Sequence, residues 1–344
     1  MTPVIDTHAH LIDRQEPGYE GVAHKWGGAR WGGGVDDLIA QMDQAGIDYA
    51  CLLTSTIIDV MEHFHPDVRD DILISFDPFI NKACYWRDWA AHKDRFFLFA
   101  DSIDPRVPGY VERAARDLDN GATGLKILPA FTNSTIDEPG WRPIFELMSD
   151  RKVPCIIDLS YWYLHFPWFA PRLVGKYRSF AEFAETVHTV AEAYPDVRME
   201  ITHYGTPILR PNELKSIQYG EAEPKSLAEA GIDYELLQGP IDMIAPHPNL
   251  FCGLSAYQHV IPASEEYPYR SALRIVEVLT QGLGADRIIF GTDWPYLGHV
   301  GYPELIRSIR EAPFLSPEES AMILGGTACR FLWGDDSDAY PAGR

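Results

Sequence analysis

Three histidines and one aspartate in this sequence have the residue types and positions of a metal site. His8 and His10 lie one residue apart in VIDTHAHLID, His203 lies in ITHYG, and Asp293 follows the apolar run DRIIFGT. In a β-strand, residues i and i+2 face the same side, so the two N-terminal imidazoles can converge on one point. Imidazoles with a carboxylate suit Zn²⁺, and also Mn²⁺ or Fe²⁺.

Short apolar runs, each of which could form a buried strand, alternate with longer helical patterns. The runs cover 4–6, 49–54, 95–100, 123–128, 153–159, 197–202, 249–255 and 286–292. The helical patterns between them cover 35–45, 107–119, 140–151, 179–194, 269–283 and 302–312. Eight strands with helices between them predict an α/β protein of the (β/α)8 TIM-barrel type, with a doubly wound open sheet as the alternative.

A barrel would place the candidate residues on one rim, because barrel active sites are built at the carboxyl ends of the strands. Each residue also has a plainer interpretation. His203 could be a hydrogen-bonded core histidine, and Asp293 could cap the next helix. Their coincidence with the HxH pair, at the ends of the first, sixth and eighth runs, favours the metal site.

Charge and composition exclude some classes of partner. The 344 residues carry a formal charge of −21, which argues against nucleic acid and anionic membranes. The N-terminus lacks a signal-peptide pattern, and no stretch approaches the ~20 apolar residues of a membrane span. Five separated cysteines without a CxxC pair predict a reduced, cytoplasmic enzyme. The expected partner is a small-molecule substrate, and a homodimer is left open.

The chain is predicted to be a single domain with extended loops on the catalytic face. The barrel would cover 1–334 and a short tail 335–344. Long connections at 14–34, rich in glycine and aromatics, and at 204–246 have the length of specificity loops or lids. Ser316, followed by a proline, is predicted to cap a C-terminal helix.

The motifs and their order resemble the amidohydrolase superfamily, in particular its amidohydrolase-related TIM-barrel branch. VIDTHAHL, GATGLKILP, ITHYGTP, RIIFGTDWP and ILGGTACRFL each match a family segment in the expected order, although Thr327 stands where the family usually has asparagine. The resemblance implies a metal-dependent hydrolase acting on an ester, lactone or amide. The alternatives are a non-oxidative decarboxylase of a hydroxy-aromatic or muconate-type acid at the same site, and a metal-free lactonase or binding barrel.

One position departs from the family pattern. Metal-dependent members usually have a histidine at the end of strand five, where this chain has Asp158. Asp158 could replace that histidine as a ligand, His165 could take its place, or the ligand could be missing. Lys126 matches a lysine that is a carboxylated ligand in binuclear relatives, but a buried lysine paired with a carboxylate is the preferred interpretation.

The favoured ligand set is His8, His10 and Asp293, completed by Asp158 or His203. Within the resemblance, Asp293 would take a proton from water and deliver it to the leaving group. His203 would polarise the substrate carbonyl. Zn²⁺ is the expected metal.

Loop residues that follow the strands are predicted to bind the substrate. They are Arg30, Trp31, Lys126, Tyr161, Trp162, His165, Tyr257 and Trp294. Aromatic side chains with a few polar groups suit a flat or cyclic, carboxylated small molecule. Arg30 is the expected partner of a substrate carboxylate because its planar guanidinium suits bidentate binding.

Overall fold

The computed structural model of the protein describes most of the barrel and parts of its loops. The described residues are 2–11, 33–54, 82–101, 103–129, 134–158, 180–203, 233–262, 264–295, 297, 299–336 and 339–340. Within them, no helix combines the length and apolar character that crossing a membrane requires.

Eight parallel strands form one sheet in which strands adjacent in sequence are also hydrogen-bonded neighbours. They are Ile5–Ala9 (β1), Tyr49–Leu53 (β2), Phe96–Ala100 (β3), Gly124–Ile127 (β4), Cys155–Ile157 (β5), Met199–Ile201 (β6), Leu250–Gly253 (β7) and Ile288–Ile289 (β8). Each strand coincides with one of the eight apolar runs. Runs that are apolar on both faces fit strands covered by helices outside and by the barrel interior inside.

Backbone contacts between the two ends of the sheet close the barrel. The Thr7 N–H donates to the Phe290 carbonyl at 3.0 Å, and the Asp293 N–H donates to the His8 carbonyl at 2.8 Å. A further parallel bridge joins Ala9 to Trp294. The predicted (β/α)8 TIM barrel is therefore confirmed, and the open-sheet alternative is wrong because its first and last strands would not meet.

Helices connect the strands. Those in the described residues are Val35–Ala45 (α1), Lys82–Ala91 (α2), Tyr110–Asp119 (α3), Arg142–Arg151 (α4), Phe180–Ala193 (α5), Gln238–Ile244 (α6), Arg270–Leu283 (α7), Tyr302–Arg310 (α8), Pro317–Ala321 (α9) and Thr327–Trp333 (α10). All six helical patterns of the sequence are confirmed. Helix α1 illustrates why: Leu38, Met42 and Ala45 recur on one buried face.

Two helical regions were not predicted. Helix α2 has a weak apolar periodicity, which the sequence pattern does not separate from a loop. Residues 204–246 were expected to be one long connection, yet Tyr234–Leu237 forms a 3₁₀ turn that leads into α6. Leu237, Ile241 and Ile244 have helical spacing and are buried, so packing against the barrel stabilises this short helix.

The C-terminal helix begins as predicted. The Glu319 N–H donates to the Ser316 hydroxyl at 3.1 Å, and the Ser316 N–H donates to the Glu319 carboxylate at 2.8 Å, which forms a capping box. Between α9 and α10 the chain forms a π-helical segment, Met322–Gly326. Gly325 lies so close to the Pro3 carbonyl that a side chain there would collide with it.

Apolar side chains fill the barrel interior towards its N-terminal end. Ile5, Cys51, Phe99 and Ile156 are fully buried in one cluster with residues of α10. The Phe331 ring of α10 stacks on Phe99 with centroids 6.0 Å apart. Helix α10 therefore closes this end of the barrel, and polar side chains are left to the opposite end, at the carboxyl ends of the strands.

Candidate active site

A bulge in β1 aims His8 and His10 into the mouth of the barrel. The pairing register of β1 with β2 shifts between Asp6 and Ala9, which interrupts the regular alternation of side chains. The two imidazole rings meet edge to face with centroids 5.1 Å apart. His8 and His10 share one face because they are two residues apart, and the bulge turns that face towards the mouth.

Three side-chain atoms converge on one point at this mouth. The Nε2 atoms of His8 and His10 lie 3.2 Å apart, and each lies 3.3 Å from Oδ1 of Asp293. Ligands of one tetrahedral ion with metal–nitrogen bonds of about 2.0–2.1 Å lie about 3.3–3.4 Å apart. The triangle therefore has the dimensions of three metal ligands, and it is the one such cluster found among the described residues.

The protonation of the two imidazoles also fits a metal. Nδ1 of His10 lies 3.1 Å from the Leu53 carbonyl, which can only accept a hydrogen bond, so in the neutral tautomer that suits this contact Nδ1 carries the proton and Nε2 has the lone pair. Burial, with a contribution from nearby Lys126, holds the pKa of His8 well below its ordinary value. Metal ligation requires neutral imidazoles, and the lowered pKa of His8 meets that requirement.

Asp293 adopts a backbone conformation that non-glycine residues rarely adopt. Its φ is 64°, and His203, at the end of β6, has a φ of 53°. Such left-handed conformations cost about 1–3 kcal/mol and are retained mainly at functional sites. Burial alone would raise the pKa of Asp293, but the adjacent His10, His203 and His259 lower it below its ordinary value, so the carboxylate is ionised.

Asp6 joins the two segments that carry the convergent ligands. Its carboxylate accepts hydrogen bonds from the His8 N–H at 2.9 Å, the Thr292 N–H at 3.1 Å, the Thr292 hydroxyl at 2.6 Å and the Tyr302 hydroxyl at 2.7 Å. All four donors are buried. Burial raises the pKa of Asp6 to about 6, against the four hydrogen bonds, which lower it.

We expect Asp6→Asn to weaken metal binding while the barrel stays folded. An amide NH₂ group cannot accept the hydroxyl protons of Thr292 and Tyr302, so the segments of His8 and Asp293 lose their common anchor. Outer-shell changes of this kind typically cost about 10–100-fold in metal affinity. Competition with a chromophoric chelator measures the dissociation constant.

The matched control for this variant is Asp48→Asn. Asp48 is a buried carboxylate that accepts the Val4 N–H at 2.7 Å near the start of β1, away from the ligands. Its change should leave metal affinity unaltered. Equal losses in both variants would show that buried aspartates act on the fold in general and not on the metal site.

His203 is held at the same mouth but with a different set of partners. Its Nδ1 lies 3.2 Å from the Ser255 carbonyl, and its Nε2 lies 3.8 Å from Oδ2 of Asp158. Lys126 Nζ lies 3.6 Å from the same carboxylate oxygen. Burial alone would lower the pKa of His203, but Asp158 and Asp293 raise it above its ordinary value. An imidazole with acceptors at both nitrogens is arranged to donate protons.

Glu200 of β6 points into the barrel interior and is fully buried. Its Oε1 lies 3.2 Å from the Thr7 hydroxyl, and the described structure contains no hydrogen-bond partner for Oε2. Burial raises the pKa of Glu200 to about 8, although Thr7 lowers it in part. The side chain is therefore a neutral carboxylic acid at pH 7.

This neutral acid predicts a pH-dependent stability. Between about pH 4.5 and 8 the folded protein retains a proton on Glu200 that the unfolded chain releases, so the free energy of unfolding falls as pH rises. Each unit of pKa difference corresponds to about 1.36 kcal/mol. Glu200→Gln removes this titration, so its free energy of unfolding should increase relative to that of the wild type as the pH rises from 5 to 8. Urea midpoints of the two proteins that change in parallel with pH would contradict the prediction.

The predicted substrate-binding residues divide into three groups. Arg30, Trp31, Tyr161, Trp162 and His165 lie outside the described residues. Tyr257 and Trp294 are fully buried, so their side chains contribute packing in this structure and present no surface to a ligand. Lys126 is buried at the mouth beside Asp158, as its plainer interpretation predicted.

Two residues of the site were not predicted from the sequence. Asp6 and Glu200 stand out only as carboxylates inside apolar runs, a signal that the sequence shows but that does not reveal which partners satisfy them. The predicted ligands Asp158 and His203 lie next to the triangle but contact each other. Their role as ligands stays a prediction.

Comparison with known proteins gives relatives of several activities. The L-fucono-1,5-lactonase of Burkholderia ambifaria is 29% identical over 150 residues, which cover 41% of this chain and 43% of that protein. The match thus spans less than half the length of that relative.

Solved structures share the fold over almost the whole chain. An amidohydrolase from Burkholderia multivorans with bound HEPES has a TM-score of 0.61 at 16% identity, covering 96% of this chain and 99% of that one. The 5-carboxyvanillate decarboxylase of Novosphingobium aromaticivorans, with manganese and a nitrobenzoic acid bound, has a TM-score of 0.58 at 15% identity, covering 96% and 97%.

A family model supplies the assignment that these individual likenesses do not. The model described as amidohydrolase matches residues 5–333, from the first residue of β1 to the last residue of α10. That span includes the triangle of His8, His10 and Asp293. It also includes the Asp158 group, which consists of Asp158, Lys126 and His203. The chain therefore belongs to the amidohydrolase family.

Proposed function

We propose that the protein is a metal-dependent hydrolase that opens a small cyclic ester, with a sugar lactone as the preferred substrate class. The observation that carries the proposal is the triangle of His8, His10 and Asp293, whose edges match those of a metal's ligand set. The lactonase relative supports the choice of a lactone.

His8 and His10 would hold the metal through Nε2, with Asp293 as the carboxylate ligand. A bound divalent ion lowers the pKa of water and polarises a carbonyl. The ionised Asp293 takes the proton of the attacking water and passes it to the leaving alkoxide of the ring. His203 is held at Nδ1 by the Ser255 carbonyl, and its Nε2 lies 3.8 Å from Asp158. From Nε2 it would donate to the carbonyl oxygen, where negative charge develops.

We assign Zn²⁺ as the resident metal, with Mn²⁺ and Fe²⁺ as alternatives. Two neutral imidazoles and one carboxylate are a common ligand set of catalytic zinc. The decarboxylase neighbour with bound manganese supports the Mn²⁺ alternative.

Asp158 would orient His203 and would not bind the metal itself, because Lys126 and His203 both lie close to its Oδ2. Asp158→Ala should therefore lower turnover through a misplaced His203 and leave the metal stoichiometry near one. A variant without bound metal would assign Asp158 to the ligand set. A variant with wild-type turnover and metal affinity would remove it from the site.

A decarboxylase is the second candidate function. The buried cation Lys126 and the proton-donating His203 could receive a substrate carboxylate and protonate the carbon that loses CO₂. The fold shared with 5-carboxyvanillate decarboxylase supports this candidate. Arg30 would bind the carboxylate of either substrate class, and Trp31, Tyr161 and Trp162 would bind its ring.

One assay panel separates the two functions. Metal-loaded protein is incubated with L-fucono-1,5-lactone, other sugar 1,5-lactones, 5-carboxyvanillate and simpler hydroxybenzoates, and both acid release and CO₂ release are recorded. The proposal predicts acid release from lactones without CO₂. CO₂ release from the aromatic acids alone would assign the protein to the decarboxylases.

We propose a cytoplasmic location for the protein. Cys51, Cys155, Cys252 and Cys329 are free and buried, which supports a reducing compartment. The proposed partner is a small-molecule substrate, and a homodimer remains a proposal that sedimentation would test.

A further inference from the structure

The Thr7 hydroxyl lies between two oxygen atoms, one of which belongs to the buried carboxyl group of Glu200. The Thr7 hydroxyl lies 3.2 Å from the Phe290 carbonyl and 3.2 Å from Oε1 of Glu200, and it has one proton to donate. The Phe290 carbonyl can only accept. An ionised Glu200 would take the Thr7 hydroxyl proton for itself, because the Phe290 carbonyl already accepts the Thr7 N–H at 3.0 Å. A protonated Glu200 can instead donate to the Thr7 oxygen, and the Thr7 hydroxyl then donates to the second lone pair of the Phe290 carbonyl.

The barrel is shaped to receive Glu200 in this position. Gly253 of β7 lies against Oε1, and a side chain at that position would collide with the carboxyl group. The ionisable groups that act on Glu200 from the surrounding strands are Asp6, Cys51, Lys126 and Cys252. Lys126 pairs with Asp158, and among the described residues no other cation contacts the Glu200 carboxylate. The ionised form of Glu200 is therefore not stabilised by a direct ion pair.

Thr7 connects this acid to the metal ligands. It lies inside the β1 bulge, immediately before His8, and its N–H also donates to the Phe290 carbonyl at 3.0 Å. Both the backbone and the side chain of Thr7 are thus tied to the strand that leads to Asp293. Movement of Thr7 would move His8 directly.

We propose that Glu200 is a positioning residue for the metal pair: as a neutral acid it donates to Thr7 and so fixes the bulge from which His8 and His10 project. The inference rests on the proposed metal site. The ligands themselves are unchanged, so Glu200 acts on metal affinity through Thr7 alone.

Metal affinity of substituted proteins tests the inference. Glu200→Gln keeps the shape and a donor, so the Zn²⁺ dissociation constant should stay within about threefold of the wild type. Glu200→Leu and Thr7→Val remove the donor and the relay, and each should weaken Zn²⁺ binding by about tenfold, the lower end of outer-shell effects. The double variant should be no weaker than either single one, because both changes break one connection.

Several outcomes overturn the inference. The first is a Glu200→Leu variant that binds Zn²⁺ as tightly as the wild type. The second is a Glu200→Gln variant that binds Zn²⁺ as weakly as Glu200→Leu. The third is a double variant whose Zn²⁺ affinity falls by about a hundredfold, because the two changes would then act independently. Should Glu200→Leu fail to fold, Thr7→Ser and Thr7→Val replace it: only the serine keeps a hydroxyl and should keep the affinity. The visible spectrum of bound Co²⁺, which reports ligand geometry, should shift in the weak variants alone.

Failure of the inference is distinguishable from failure of the metal site. A His10→Ala protein that no longer binds Zn²⁺, beside Glu200 variants with wild-type affinity, leaves the site standing and removes Glu200 from it. A His10→Ala protein with wild-type affinity rejects the site itself.

Discussion

Asp293→Asn should lower turnover on the identified substrate by about 10²–10⁴-fold, the usual contribution of general acid–base catalysis. Asparagine keeps the size of the side chain and one oxygen ligand, but it cannot accept a proton near neutral pH. The variant should therefore stay folded and keep much of its metal. Steady-state kinetics at several pH values, with metal analysis of the same sample, measures both effects.

The control for this variant is Asp286→Asn, which changes an aspartate at the other end of β8. Asp286 pairs with Arg330 on the surface at 3.2 Å and touches no residue of the site. Turnover should be unchanged there. Near-normal turnover in Asp293→Asn would show that Asp293 is a metal ligand or a structural residue and does not carry the proton. Unfolding of the variant would show that Asp293 stabilises the backbone turn.

His8→Ala and His10→Ala should each reduce bound metal from about one equivalent to near zero after dialysis against a weak chelator. Each change removes one of three convergent ligand atoms. Changes to residues that only orient the ligands lower metal affinity by about 10–100-fold, and the loss of a ligand should lower it further. Elemental analysis of the dialysed proteins gives the stoichiometry, and circular dichroism checks the fold.

A second histidine pair provides the control. His188 on α5 and His247 before β7 contact each other through Nδ1 and Nε2 at 2.7 Å, far along the chain from the HxH motif. His188→Ala should keep the full equivalent of metal. Loss of metal in His188→Ala, with retention in His10→Ala, would move the metal site to that pair.

The sequence predicts the framework of this site because strand ends are visible as ends of apolar runs. His8, His10 and Asp293 each follow or end such a run, and parallel strands bring those ends to one rim. The eight strands and six of the helices follow from the same periodicity. What the pattern cannot give is distance, so it could not separate the convergent triangle from the neighbouring Asp158 group.

The interior polar residues could not be predicted for a different physical reason. A carboxylate in an apolar run, such as Asp6 or Glu200, is stable only through partners that are remote in sequence. Tyr302 is 296 residues from Asp6, and Thr7 is 193 residues from Glu200. Sequence spacing contains no information on such pairs. Closure of the barrel between β8 and β1 brings Tyr302 to Asp6, and the shared barrel interior brings Glu200 of β6 to Thr7 of β1.

Metal reconstitution tests the central claim most directly. Chelator-treated protein is titrated with Zn²⁺ or Mn²⁺, and turnover of the lactone or aromatic acid found in the assay panel is followed against added metal. We expect negligible turnover without metal and a linear rise that saturates at about one equivalent, with no recovery in His10→Ala. Full turnover of the metal-free protein would contradict it and would make the triangle of His8, His10 and Asp293 a metal-free catalytic group.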